Sequence, residues 1–564
     1  MKGIKMQFRI FKKDINLYKE ALEKAGFNDV AKSFDNYFYG DKHNRVNVDL
    51  EGKITPAVLN VILDLAEKEK DNFVYLDARA AIEVLNNPKS KLVKSLKGFQ
   101  SIFDTFVKKD LIDGWLYKIE YGSEYLPYLV SSCVHKPANP EYQRPAQIVI
   151  ELKYTTPVEE SSISKETITL TRDEVYGKSI VEILAKSGFF KENNELRKEY
   201  FKRLDGYDKY SPLIGSQFVG LSNALIDNGY NKYPASVKDH KLVNDQDFNT
   251  ESKSIEQKTR VPFFSKFSKY FDFDDNAEDE IFENTKVEDI YQEVKIPYHP
   301  YLKMFDLKEH KKIWVVADNI RPYEYDTTIH DKLVLPESHR DLIDVLVNDA
   351  DVVLEDIIKG KSGGTNILCK GAAGLGKTLT AEVYSEIVKK PVYSVHSGQL
   401  GTNPDDIDKR LETILNRASK WGAILLLDEA DVYIRKRDNS MDHNAIVAAF
   451  LRKIERFEGI MFLTTNRSED VDDAISSRCI AIIDYDYPEK EDLAKIWSVL
   501  STNYDVSLND EIIDHLVNTY SGITGRDVKE ILKLARKFIS QKAVKIDKEL
   551  FRKCTMFRGI KQSK

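Results

Sequence analysis

Residues 365–378 read Thr-Asn-Ile-Leu-Cys-Lys-Gly-Ala-Ala-Gly-Leu-Gly-Lys-Thr. Thr365–Cys369 is a short apolar run of the kind that forms a buried strand. A glycine-rich loop follows, and Lys377 opens a predicted helix directly behind it. Gly371, Ala372, Ala373, Gly374, Leu375, Gly376, Lys377 and Thr378 match the Walker A pattern, in which strand, loop and helix cradle the phosphates of a nucleotide. Glycines let backbone N–H groups turn towards one anion, and the helix N-terminus adds positive potential. In such a loop Lys377 reaches the β- and γ-phosphates, and Thr378 ligates Mg²⁺.

Working outward, Ile424-Leu425-Leu426-Leu427-Asp428-Glu429 has the Walker B form: four apolar residues bury a strand, and two carboxylates emerge at its C-terminal end. Ligands of open α/β sheets sit at that end. Asp428 is expected to hold Mg²⁺, directly or through water, and Glu429 to polarise the attacking water as general base. Acids commonly cap strands, so the pair alone decides little; its place in the same pattern as Lys377 gives it the functional reading. Strands at Val392–His396, Gly459–Thr464 and Cys479–Tyr485 alternate with helices at Pro404–Lys420 and Asn444–Phe457. This predicts the α/β fold of a P-loop NTPase, a parallel sheet flanked by helices, over residues 333–487. Pro336 opens a helix to Val347, and a second segment spans Asp351–Ile358. After Pro488 the pattern is wholly helical, predicting a helical lid at 488–564 with a basic C-terminus.

The segment Leu333–Ala535 resembles the AAA family of ATPases. Its evidence is five ordered motifs: Gly371–Thr378, Leu425–Asp431, the strand ending Leu463-Thr464-Thr465-Asn466-Arg467, the run Asp472-Asp473-Ala474-Ile475-Ser476-Ser477-Arg478, and Gly525-Arg526-Asp527. The likeness is greatest to the subgroup with the mitochondrial Rieske-protein translocase and poorly characterised bacterial and fungal ATPases. It implies ATP with Mg²⁺, and catalytic roles for Glu429, Asn466 as sensor 1, Arg478 as the finger offered to a neighbouring subunit, and Arg526 as sensor 2. It also implies a homo-oligomer, a ring of six. Many members carry two arginines near the finger, whereas Arg478 stands alone in its run; Arg435 and Arg437 are further candidates to face a neighbour. The stretch where threading members present an aromatic pore loop reads Ser397-Gly398-Gln399-Leu400-Gly401-Thr402-Asn403, leaving one leucine to grip a chain.

The remainder carries no recognisable chemistry. Residues 1–228 read as an α+β domain, with a helix at Ile54–Lys68, a hairpin at Trp115–Val134 turning at Gly122-Ser123, strands at Gln147–Tyr154 and Thr167–Thr171, and helix over Ser179–Lys202. Residues 229–295 read as a polar, then acidic linker; Asp272–Glu293 holds ten carboxylates and one lysine. Residues 296–332 read as a small β element. A net charge of −7 over 564 residues argues against a chain dominated by nucleic-acid contacts. Arg526–Lys564 nevertheless carries thirteen Lys/Arg against four Asp/Glu, so nucleic acid is a weakly supported partner. Four dispersed cysteines suit a reducing, cytoplasmic setting, and no apolar run is long enough to span a membrane. The expected function is an oligomeric Mg-ATP-hydrolysing machine that remodels a protein cargo held by the N-terminal domain. Alternatives are a nucleotide-gated switch or scaffold in a signalling or defence assembly, and a nucleic-acid motor.

Overall fold

The apolar runs of the second half form five parallel strands: β1 (Thr365–Gly371), β2 (Val392–His396), β3 (Ile424–Asp428), β4 (Ile460–Thr465) and β5 (Ala481–Tyr485). Their order is β2-β3-β4-β1-β5. The computed structural model describes residues 7–39, 45–50, 52–69, 71–87, 91–118, 125–140, 143–158, 163–227, 232–247, 258–261, 292–348, 364–401, 404–437, 441–542 and 544–562. Helices α1 (Lys377–Ile387), α2 (Pro404–Trp421) and α3 (Met441–Ile454) pack against the sheet. β3 and β4 are buried on both faces, as continuous apolar strands beneath helices should be. The lid comprises α4 (Lys490–Asn503), α5 (Asp510–Thr519), α6 (Gly525–Lys542) and α7 (Lys548–Phe557), with Trp497, Leu516, Ile531 and Phe551 in its own core.

The N-terminal half is α+β, in layers that follow the sequence periods. Strands 7–11 and 45–49 alternate buried and partly exposed residues, placing Phe8, Ile10, Val46 and Val48 in one core. A five-stranded antiparallel sheet follows, ordered 164–171, 147–154, 126–136, 115–118, 189–191. The helix Leu96–Asp110 buries Phe99, Phe103 and Phe106 in the same core as that sheet. The hairpin Trp115–Val134 pairs as expected, and its turn lies outside the described residues. The single helix expected over Ser179–Lys202 is two, Ile180–Lys186 and Asn194–Tyr210, separated by strand Phe189–Lys191. Gly188 at φ +83 ends the first, a conformation that helix periodicity does not encode.

The linker expectation also needs correction. Lys232–Ser236 and Lys241–Asn244 are strands of a seven-stranded antiparallel sheet that also takes in 217–220, 223–227, 301–306, 311–316 and 320–322. The small β element at 296–332 is therefore part of a larger sheet. Strand Lys241–Asn244 is four residues long and polar at both ends, and it exists because Leu242 and Val243 lie between 217–220 and 301–306. Such non-local pairing leaves no signal in a local window. Lys258–Val261 pairs with Gln292–Lys295, while the acidic run up to 291 and the segment Asp351–Ile358 lie outside the described residues.

This sheet is fastened to the ATP-site half at the C-terminal ends of α1 and α2. Glu386, 7% exposed at the end of α1, accepts from Lys241 Nζ at 3.0 Å, Tyr323 O–H at 2.6 Å and Asp326 N–H at 3.1 Å. At the end of α2, Asp245 accepts from Lys420 Nζ at 2.9 Å and Trp421 Nε1–H at 3.0 Å, and Phe305 packs on Trp421 with ring centroids 5.1 Å apart. The three donors are partly exposed, so water replaces Glu386 in part, and what its removal chiefly loses is the tie between the two halves. Glu386→Ala is therefore expected to lower the urea midpoint of the full chain and to open the 217–326 sheet to limited proteolysis. An unchanged midpoint and digestion pattern would contradict this coupling.

Candidate functional site

The sheet order places the C-terminal ends of β1, β3 and β4 side by side, so the loop after β1 and the acids after β3 share one edge. A cleft of about 1010 Å³ opens there between the sheet and the lid. Its lining includes Ala373, Gly374, Leu375, Gly376, Lys377, Thr378, Asp428, Glu429, Asn466 and Arg526. Gly371 and Ala372 bound it by presenting carbonyls to Lys377.

Lys377 begins α1 behind Gly376, whose φ of +101 only glycine adopts cheaply. Its ammonium donates to Gly371 O and Ala372 O at 2.7 Å and to Asn466 Oδ1 at 3.0 Å. Among the described residues no carboxylate lies within ion-pair reach of it. Burial lowers its pKa below the usual lysine value, opposed by the charge of Asp428. A buried cation with only neutral acceptors favours an incoming anion.

Thr378 Oγ1 donates to Asp428 Oδ1 at 2.9 Å, and Thr464 Oγ1 donates to the same oxygen at 2.6 Å. Thr464 also accepts the backbone N–H of Glu429 at 3.0 Å. Glu429 has φ +53, which turns the chain sharply out of β3. Asp431 accepts from Thr465 Oγ1 and, at 3.3 Å, from Asn466 N–H, tying the segment after β3 to the end of β4. Asp431 and Thr464 fall inside the quoted motifs without a role of their own, and His396 lies outside them. Strand register sets His396 beside Asp428, and Thr464, one residue past the last registered pair Leu427–Leu463, bonds the same carboxylate. His396 Nδ1 lies 3.9 Å from Asp428 Oδ2.

The pair Thr378 and Asp428 fits Mg²⁺. Both offer hard oxygen at one point of the cleft, and Mg²⁺ bound with a nucleotide takes few protein ligands, filling its shell with water and phosphate. Among the described residues there is no His/Cys/Asp/Glu cluster suited to a dedicated metal centre.

Two of the lid's contacts reach the loop itself. Arg526 N–H points to Gly374 O at 3.4 Å, and a Cβ on Gly374 would come within 2.8 Å of Thr524 Oγ1 and 2.9 Å of Arg526 Cβ. Gly374 also has φ +87, so loop and lid both need glycine there. Leu333, Leu335, Ile496 and Leu500 add an apolar lining to the cleft.

Arg478 does not join this cleft. Its guanidinium bonds Ala474 O at 3.0 Å and Glu455 Oε2 at 3.2 Å. Arg437 is held by Asp472 at 2.9 Å, and Arg467 lies 3.9 Å from Asp470. Leu400 is 1% exposed at the end of the short helix Ser397–Leu400, so the leucine expected to grip a chain is in the core. Tyr433 O–H holds that turn through Ser397 O at 2.6 Å and Gly401 O at 2.9 Å; residues 402–403 lie outside the described set. The four cysteines are free, and burial pushes Cys369 and Cys133 up to about 12, so their thiols are inert.

Parallel sheet, glycine loop, paired acids and helical lid define a P-loop nucleotide-binding domain. Residues 367–487 match the family described as ATPase family associated with various cellular activities (AAA), so the chain carries an AAA ATPase domain. A 26S proteasome regulatory subunit homolog of Methanothermobacter marburgensis is similar at 27% identity over 199 residues, 33% of this chain and 52% of that protein. The ATPase family AAA domain-containing protein 3 of Bos taurus is similar at 26% identity over 170 residues, 27% of this chain and 28% of that protein. The chain thus spans about half the length of the first of these curated relatives and less of the second. A chain of the solved E. coli MS115-1 HORMA:CdnC:Trip13 complex matches at 16% identity with a TM-score of 0.34, over 41% of this chain and 91% of that one. No described helix is long and apolar enough to cross a membrane.

Thr464→Val keeps the shape of the side chain and removes both of its hydrogen bonds. Turnover of ATP is expected to fall about tenfold or more, with nucleotide affinity changed far less, in steady-state and equilibrium-binding assays. Equal losses in both would show that Thr464 only maintains the fold.

Proposed function

We propose that this chain is an oligomeric Mg-ATP-hydrolysing enzyme that uses hydrolysis to remodel a protein partner. The observation that carries the reading is the convergence of Lys377, Thr378, Asp428, Glu429 and Asn466 on one cleft closed by a lid. Lys377 binds the β- and γ-phosphates, exchanging its carbonyl partners for charged oxygens. Thr378 and Asp428 hold Mg²⁺, which when bound neutralises charge on the phosphate oxygens. Asn466, 3.0 Å from Lys377 Nζ, orients the attacking water, and Glu429 takes its proton. Arg526 reaches the phosphates from the lid.

Arg478 lies outside its own subunit's cleft, which supports the reading that it serves a neighbour's ATP and that the working form is a ring, six copies by resemblance. The α+β half, fixed at Glu386 and Asp245, would present the cargo. The buried Leu400 favours action on a folded partner over threading of an extended chain, in line with the resemblance to the Rieske-translocase subgroup. The same observation keeps a nucleotide-gated switch as the second reading. Free thiols fit a cytoplasmic protein.

Arg478→Ala should reduce turnover about 10³-fold with ATP affinity nearly intact, and Glu429→Gln should do likewise. Mixing the two inactive proteins should restore part of the activity, because a mixed ring pairs an intact finger with an intact base. Mixtures as inactive as their components, in a preparation that sizes as a monomer, would contradict shared sites. Chelating Mg²⁺ should abolish turnover of the wild type.

A further inference from the structure

Charge counting along the chain makes Arg526–Lys564 a basic lid face, with nucleic acid as its weakly supported partner. One of its cations has a different place. Arg558, at the C-terminal end of α7, lines the nucleotide cleft together with Arg526 and Lys529. Its Nη2 donates to Asp527 Oδ1 at 3.0 Å. The other carboxylate oxygen of Asp527 accepts from Thr524 N–H at 3.1 Å and Thr524 O–H at 2.8 Å. Burial would raise the Asp527 pKa, but Thr524 and Arg558 hold it below the usual carboxylate value. Thr524 and Arg526 are the residues that press on Gly374 of the phosphate loop.

The position of Arg558 is itself fixed. Leu550, Phe551 and Cys554 of α7 are buried in the lid core, and Phe551 meets Trp497 edge-on at 5.9 Å. Thr555 O–H donates to Tyr520 Oη at 3.0 Å, inside the lid. Arg558 N–H closes the helix end on Cys554 O and Thr555 O. The chain of contacts thus runs from the end of α7 through Asp527 and Thr524 to the loop that holds the phosphates.

Resting on the ATPase reading above, we infer that Arg558 is a positioning residue for the nucleotide. It clamps Asp527 so that the turn Thr524–Arg526 seats on Gly374 and Arg526 aims into the cleft. The carboxylate between two partners acts as a brace: with Arg558 removed, Asp527 keeps only Thr524, and the turn gains freedom that nucleotide binding must then restrain. Arg558 and Asp527 are 39% and 26% exposed, so the clamp is partly screened by solvent and its loss should be moderate.

The test is equilibrium binding of a fluorescent N-methylanthraniloyl-ATP with Mg²⁺ to the full-length chain, alongside thermal melting without nucleotide. Arg558→Ala should weaken affinity roughly three- to tenfold, the range of a half-screened charge-assisted hydrogen bond. Arg558→Lys should recover part of that loss. The double variant Arg558→Ala with Asp527→Asn should bind no more weakly than Asp527→Asn alone, since both break one clamp. Should Arg558→Ala fail to fold, Arg558→Lys and Asp527→Asn decide by the same affinity criterion. Wild-type affinity in Arg558→Ala, with only its melting temperature lowered, overturns the inference and leaves a purely structural ion pair. Lys377→Ala run in parallel separates the two levels. If it binds as the wild type does, the ATPase reading and this inference both fall; if it loses binding while Arg558→Ala does not, only this inference falls.

Discussion

The structure turns on the ammonium of Lys377. It is 6% exposed, and its three hydrogen-bond partners are two backbone carbonyls and an amide oxygen, all neutral. Taking a charge out of water without a counter-charge is costly, and the lowered pKa of this lysine expresses that cost. The surrounding architecture keeps the cation in place and reserves its charge for a phosphate. Gly376 starts α1 at the one turn that aims the side chain back over the loop. The β3–β4 edge brings Asn466 to its third donor position, while Asp428 stays bonded to Thr378 and Thr464 instead of pairing with it.

That arrangement links three parts of the chain. The loop is packed from one side by the sheet, where Gly371 leaves no room for a Cβ against Tyr485 O, and from the other by the lid turn at Thr524–Arg526. Helix α1 begins at the phosphate loop, and near its end Glu386 is gripped by Lys241 of the seven-stranded sheet and by Tyr323 and Asp326 just after the sheet's strand 320–322. One helix therefore joins the nucleotide site to the N-terminal half. Phe305 and Val243 even share the core cluster of α2 and α3. The lid touches this joined block at Gly374 while keeping a hydrophobic core of its own.

Much of this is legible in the sequence, for reasons that are local. The Walker loops are contiguous, and strand, glycine loop and helix each carry their own period, so Gly371–Thr378, Asp428 and Glu429 follow from the local pattern alone. Asn466 enters through the family resemblance, as the polar residue that ends an apolar strand. What escapes depends on contacts between distant segments. Thr464 looks like one more strand residue until register sets it beside Asp428 and Glu429. Lys241–Asn244 looks like linker because a four-residue strand with polar ends gains its stability from neighbours distant in sequence, Gln217 and Phe218 on one side and Phe305 and Met304 on the other. Leu400 reads as an exposed grip in sequence and is buried because Tyr433 pins its turn. Arg558, one arginine among many near the chain's end, gains a role only when α7 folds it onto the cleft.

A crystal structure of the full chain with a non-hydrolysable ATP analogue and Mg²⁺ would show directly which groups the Lys377 ammonium serves. The γ-phosphate should lie beside Asn466, with Lys377 Nζ released from the carbonyls of Gly371 and Ala372 onto β- and γ-phosphate oxygens. An analogue bound elsewhere, or one bound in the cleft while Lys377 keeps its three neutral partners, would contradict this role of Lys377.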